Sequence, residues 1–324
     1  MWMVWSETDT HARFRSLLQK AVRRGNANLV ITTCALLESL GARERRWIRS
    51  RAAIITFEEC WPLGVQLVFN KRFHSKVAAL VRVARHQKSK DASGLGRLAY
   101  ALFEDDRTVL NGSAQDRDLK IVANAIRRPE AFWKWVRQRG EDRSQTTLIR
   151  YAHQFRGIGL PRDNAIIQAA AYLAGTVPVT EVHPAATESK TFPYWVALDQ
   201  HTTEGKRTLK DISRDLHIDL PQLEWVAFYS EGNKTNEMCP SPWWDRYCTW
   251  RFQKIGIPLE EAPLLWMPVR PQVKAALEEE SRQLHKEIYR WKMAHMDRIR
   301  HLRQQVDLFL EHFHEVRKDQ LDIF

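Results

Sequence analysis

The stretch TTLIRYAHQFRGIGLPRDNAIIQAAAYLA, residues 146–174, sets the expectation for the fold. A helix leads from Thr146 into Arg156-Gly157-Ile158-Gly159. A second begins at Pro161, a residue suited to the first helical turn because its missing N–H is not needed there. Glycine lets a backbone come close to a partner, and the start of a helix favours anions. A Gly-apolar-Gly turn between two short helices therefore offers backbone N–H groups to a phosphate, and geometry makes the contact.

Helical spacing continues on both sides. Leu17, Leu18 and Ala21, then Leu29, Ile31, Leu36, Leu37 and Leu40, form paired helices broken at Arg24-Gly25-Asn26, and Gly41 stops the second. A third helix runs from Arg43 through Trp47, Ile48 and Ile54 to Glu58, ending before Pro62-Leu63-Gly64, and Phe73 to Arg85 adds another. Leu119 to Val136 reads as helix interrupted at Pro129. Gln87 to Gly96 is polar with glycine and serine, which predicts a surface loop. Thr176 to Pro193 carries Pro178, Pro184 and Pro193 and predicts an irregular excursion.

Pro271 is expected to open one long helix with Val273, Leu277, Leu284, Ile288, Trp291, Ile299, Leu302, Val306, Phe309 and Phe313 on its apolar side. The other faces carry Lys274, Arg282, Lys286, Arg290, Lys292, Arg298, Arg300 and Arg303. Predominantly all-α architecture follows, in three parts: a helical module over 1–140, a hairpin-containing region over 141–270, and the long helix over 271–324.

The 324 residues exceed what a single core of roughly 250 to 300 residues accommodates, which favours more than one module. Hydrophobic content of 44% with 27% charged residues is that of a globular chain. Fifty Lys and Arg against 39 Asp and Glu leave a net charge of +11, which favours polyanionic partners. Met1 to Thr10 lacks the cationic start and apolar run of a signal peptide, and no stretch reaches the ~20 apolar residues of a membrane span, so a cytoplasmic location without membrane contact is expected.

Cys34, Cys60, Cys239 and Cys248 form no CxxC pair and are expected to be buried thiols, with no metal or cofactor implied. His312 and His314 stand two apart and cannot share a helical face. No His-Glu-x-x-His, Gly-x-Ser-x-Gly, Rossmann or P-loop pattern occurs. Glu58 and Glu59 are adjacent and point about 100° apart on a helix, which marks them as structural.

Phe155-Arg156-Gly157-Ile158-Gly159, followed at a distance by Leu198-Asp199-Gln200-His201, resembles the helix-hairpin-helix DNA glycosylases over residues 151–210. The likeness departs from the family pattern at Arg156, which replaces the usual proline, at one extra residue after Gly159, and in the longer hairpin-to-aspartate gap. The resemblance implies that Gly157 and Gly159 bind phosphate and that Asp199 stabilises the sugar cation as a base departs. It implies further that Tyr194 and Trp195, with Trp243, stack the flipped base, while Arg162, His201, Lys206 and Arg207 meet the backbone. No lysine stands beside the hairpin glycines, which by the resemblance implies a monofunctional glycosylase leaving an abasic site, and the likeness to the family implies a monomer.

A second likeness covers residues 17–65. Lys20 to Asn26, Leu36 to Gly41, Trp47 to Arg51 and Phe57 to Cys60 resemble the helical collar of clamp-loader-type ATPases and their recombination-associated relatives. With no ATPase motor in the chain, that resemblance implies a non-enzymatic DNA scaffold that oligomerises through Leu36, Leu37 and Ile54.

Overall fold

The computed structural model describes residues 11–66, 72–186, 189 and 191–319, with side chains as far as His312. Among the described residues there are fifteen α-helices and no β-strand. The first five are α1 (Ala12–Arg23), α2 (Ala27–Ser39), α3 (Ala42–Cys60), α4 (Phe73–Arg85) and α5 (Asp91–Phe103). The hairpin region follows as α6 (Asp116–Arg127), α7 (Pro129–Val136), α8 (Arg143–Gln154) and α9 (Pro161–Ala174). After a short turn at Tyr194–Ala197 come α10 (Thr203–Asp215), α11 (Leu220–Ala227) and α12 (Pro242–Lys254), then α13 (Ala262–Ala276), α14 (Glu278–Ala294) and α15 (Met296–Asp319).

Local chemistry sets these ends. Asn26 accepts from the Leu29 N–H at 2.9 Å to cap α2. Asp142 and Gln145 form a reciprocal capping box on α8. Prolines occupy the first turn of α7, α9, α11 and α12.

One apolar core runs from Phe14 in α1 to Val306 in α15. Helix α5 passes through its middle against α6, α9 and α12. Two glycines permit that crowding. A Cβ on Gly94 would stand 2.2 Å from the Trp243 carbonyl carbon, and one on Gly96 would stand 2.6 Å from Ile166 Cα. Backbone rather than a flexible side chain is what each would strike. Gly94→Ala is therefore expected to cost about 1–3 kcal/mol through overpacking, read as a lower urea midpoint with an unchanged slope. A midpoint equal to wild type would show that α12 can withdraw from α5 freely.

Gln87 to Gly96 is not a surface loop. Residues 86–90 form an extended strip inside the molecule, and α5 starts at Asp91. Gln87 N–H donates to His183 O at 3.1 Å, Lys88 N–H to Glu237 O at 2.9 Å and Ser89 N–H to Glu59 O at 3.0 Å. The Pro-rich excursion is thus tied to the strip at its middle. Lys88 is fully buried, and its ammonium donates to Val83 O and to Asn236 Oδ1, each at 2.8 Å, closing the carbonyl end of α4. Burial pushes that ammonium down to about 8. The segment is polar because its side chains satisfy buried backbone groups and charges, which composition reads as solvent exposure.

Next to the strip lies a buried ionic cluster joining α1, α3 and α5. Arg23 Nε donates to Glu59 Oε1 at 2.7 Å, Lys90 Nζ lies 3.0 Å from Glu59 Oε2, and Arg97 donates to Glu58 at 2.7 Å. Glu58 and Glu59 are structural in this sense: they neutralise cations inside the core.

The C-terminal region also differs from the single helix expected to start at Pro271. Helix α13 begins nine residues earlier, at Ala262, carries Pro268 and Pro271 within it, and breaks follow at Leu277 and His295. The apolar positions Val273, Leu277, Leu284, Ile288, Ile299, Leu302 and Val306 are buried as the spacing predicts. Phe313 and His314 fall outside the described side chains, as Met1 to Thr10 falls outside the described residues. No helix among the described residues is long and apolar enough to cross a membrane.

Candidate nucleic-acid interface and the Asp199 cleft

Phe155–Leu160 turns between α8 and α9 as the glycines require, with φ of 78° at Gly157 and 83° at Gly159. Its amides are not equally available. Gly157 N–H donates to Asn164 Oδ1 at 2.5 Å, Ile158 N–H to Phe155 O at 3.2 Å, and Leu160 N–H to Asp163 Oδ2 at 2.9 Å. Gly157, expected to hold phosphate, has thus committed its N–H to the protein. Gly159 N–H has no protein partner among the described residues and remains the hairpin donor open to an anion. A Cβ at Gly159 would lie 2.7 Å from Ile54 Cδ1 and 2.6 Å from Asp163 Oδ2, and Asp163 is itself held by Arg51 at 2.9 Å. The hairpin is therefore seated on α3.

The first half of the same helix is rich in arginine. Arg45, Arg46 and Arg49 are exposed and form no ion pair among the described residues. The one acid in that half, Glu44, is fully buried and taken by Arg15 at 2.8 and 2.6 Å and by His11 at 3.1 Å. Burial would raise the Glu44 carboxyl, but Arg15 and His11 outweigh it and hold it below the ordinary range. With that carboxylate facing inward, the first half of α3 exposes arginines and no acid.

Lys76 on α4 joins this surface, its ammonium 5.3 Å over the Phe155 ring, and burial followed by repulsion from Arg49 lowers it. Arg150, Arg156 and Arg162 complete an exposed cationic rim around the hairpin. Of these, only Arg162 was singled out by sequence. The run Arg43-Glu44-Arg45-Arg46 carried a readable signal: four of the seven residues from Arg43 to Arg49 are arginine.

Asp199 belongs to a different neighbourhood, on α1 and the 194–197 turn. Its carboxylate pairs with Lys20, accepts from His201 N–H at 3.0 Å, meets His201 Nδ1 at 3.1 Å and accepts from Ser16 Oγ at 3.4 Å. Burial would raise this carboxyl, yet Lys20 and His201 outweigh it and hold it far below the usual carboxylate range. Asp199 borders a cleft with Trp195, Phe228, Trp266, Glu224 and Glu231. Glu231 is bound by Arg24 at 3.0 Å and Arg270 at 2.6 Å, whereas Glu224 is half-buried and raised by that burial.

The cleft has room for only a couple of water molecules, so a flipped base does not fit without movement of its walls. Nor do the expected stacking residues present free faces. Trp195 is 7% exposed, Trp243 is equally buried, and the Tyr194 ring stacks on His285 with centroids 4.5 Å apart. His201 and Lys206 are exposed, and Arg207 is exposed but engaged with Glu280 at 2.8 Å. Among the described residues no hydrogen bond or ion pair links the hairpin group to the Asp199 group.

Elsewhere, Cys34, Cys60 and Cys248 are buried thiols and Cys239 is half-buried. Among the described residues no group of three or more His, Cys, Asp and Glu side chains stands close enough to hold a metal ion. No family model, no curated protein and no solved structure matches the chain.

Proposed function

We propose that the chain is a non-enzymatic helical scaffold that binds nucleic acid, gripping phosphates with the α8–α9 hairpin and the arginine face of α3. The observation that carries this reading is that one helix, α3, bears three unpaired, exposed arginines, Arg45, Arg46 and Arg49, and also seats the hairpin whose Gly159 N–H is open. Cations without local carboxylates release counterions when they meet phosphates, and a fixed backbone donor sets the register. The expected self-association through Leu36, Leu37 and Ile54 is not part of the proposal, because all three are buried within one chain, at 2%, 0% and 0% exposure.

A second reading, base excision by Asp199, is favoured by one observation. Asp199 and Glu224 line the same cleft with their carboxyls shifted in opposite directions, the pairing that acid–base chemistry uses. It requires the cleft to open.

One experiment separates them. The purified protein and an Asp199→Asn variant are titrated into labelled duplexes carrying damaged or modified bases at rising salt, then treated with alkali. Expected is binding that weakens roughly a hundredfold between about 50 and 200 mM salt for four phosphate contacts, the same in both proteins, with no strand breaks. Breaks given by wild type and absent with the variant would move the assignment to the glycosylase, and salt-independent or absent binding would overturn both.

A further inference from the structure

Helix α14 turns Leu284 and Ile288 into the core, at 0% and 3% exposure, and so presents Lys286, Tyr289, Arg290 and Met293 outward. Tyr289 is 56% exposed and Met293 54%. Lys286, Arg290 and the neighbouring Lys292 form no ion pair among the described residues, and the adjacent acid, Glu287, is occupied by Arg13 of α1 at 2.7 Å. A bare phenol ring flanked by uncommitted cations has one complementary occupant: a polyanion that also offers flat apolar faces.

We infer that the outer face of α14 binds single-stranded nucleic acid, with an unpaired base on the Tyr289 ring and flanking phosphates on Lys286 and Arg290. A second copy of this chain would bring like charge against like charge. A duplex keeps its base faces stacked, whereas a single strand exposes them, and stacking on an aromatic side chain tolerates any sequence. The surface adjoins the first one through α1, whose Arg13 reaches α14 and whose Arg15 reaches Glu44 of α3. The inference extends the nucleic-acid reading proposed above to a strand class, on a different surface.

Fluorescence anisotropy with a labelled oligothymidine of about twenty nucleotides and a blunt duplex of equal length tests it. Tyr289→Ala is expected to weaken oligothymidine binding about tenfold, Tyr289→Phe to restore it, and both to leave duplex binding unchanged. Lys286→Ala with Arg290→Ala should flatten the salt dependence for the single strand alone. Oligothymidine binding untouched by Tyr289→Ala overturns the inference, as does wild-type binding of the duplex without the single strand, which leaves the hairpin proposal standing. Tyr289-dependent binding of the single strand without duplex binding supports α14 and removes the hairpin. Displacement by polyglutamate to the same extent in wild type and Tyr289→Ala would reduce the face to a general acid-binding surface and likewise overturn it.

Discussion

Glu59→Ala is expected to cost about 3–5 kcal/mol, a large part of the roughly 5–15 kcal/mol by which a domain is folded. Glu59 is fully buried between Arg23, 2% exposed, and Lys90, 1% exposed. Removing the carboxylate leaves two cations in a medium that cannot solvate them. Glu59→Gln keeps the shape and should cost nearly as much, which distinguishes lost charge from a lost contact. Urea unfolding at neutral pH measures both, and a cost below about 1 kcal/mol for Glu59→Gln would show that water reaches the cluster.

The same cluster gives a pH signature. Burial would raise the Glu59 carboxyl, but Arg23 and Lys90 outweigh it and hold it at about 2. A depressed acid contributes stability that is present above its unfolded value of about 4.5 and is lost as pH falls towards 2, because the unfolded chain takes up protons first. Lys90 works in the opposite range. Burial lowers it to about 8, so the unfolded chain binds more protons between about 8 and 10.5, and this group adds stability as pH rises there. In Glu59→Ala, where Lys90 has lost its counter-charge, that recovery on raising pH should begin lower.

Which parts of this molecule were legible in the sequence follows from the range of the interactions involved. Helix ends depend on residues a few positions apart, so Asn26, Pro129 and Pro161 mark the boundaries they predict. The hairpin was legible for the same reason, since positive φ at Gly157 and Gly159 is a local demand. The ionic cluster was not, because Arg23 and Glu59 are 36 positions apart and nothing local marks Lys88 or Lys90 as buried. Pro271 misled in another way: proline is expected at a helix start, but in α13 the surrounding packing of Ala262, Trp266, Val269 and Val273 carries the helix through Pro268 and Pro271 alike.

The site shows the same division. Asp199 and His201 share a short motif, but Lys20, the other partner that holds the carboxyl ionised, comes from α1, 179 positions away. Lys76 is invisible as a neighbour of the hairpin in sequence and adjacent to it in space. The arginines of α3 were read as part of a collar-like stretch, and their exposure became meaningful only when Glu44 was seen to turn inward.

That exposure leads to the prediction with the largest functional effect. Combined Arg45→Ala, Arg46→Ala and Arg49→Ala should leave folding little changed, because none of the three side chains is paired or buried. Duplex affinity should fall roughly a hundredfold at physiological salt, and the slope of log affinity against log salt should shrink by about 2.7, from a loss of about 0.9 for each phosphate contact. Gly159→Ala tests the other half of the surface. Its φ of 83° and its approach to Ile54 force the hairpin to shift, so it should weaken duplex binding while hardly altering the salt slope, since no charge is removed. The two slopes together separate an electrostatic grip from a positioned backbone donor. A triple variant with the wild-type slope would place the phosphates elsewhere, and the exposed side chains His201 and Lys206 would then be the next to remove, since His201 adjoins Asp199 and a duplex held there would lie over the cleft and not over the hairpin.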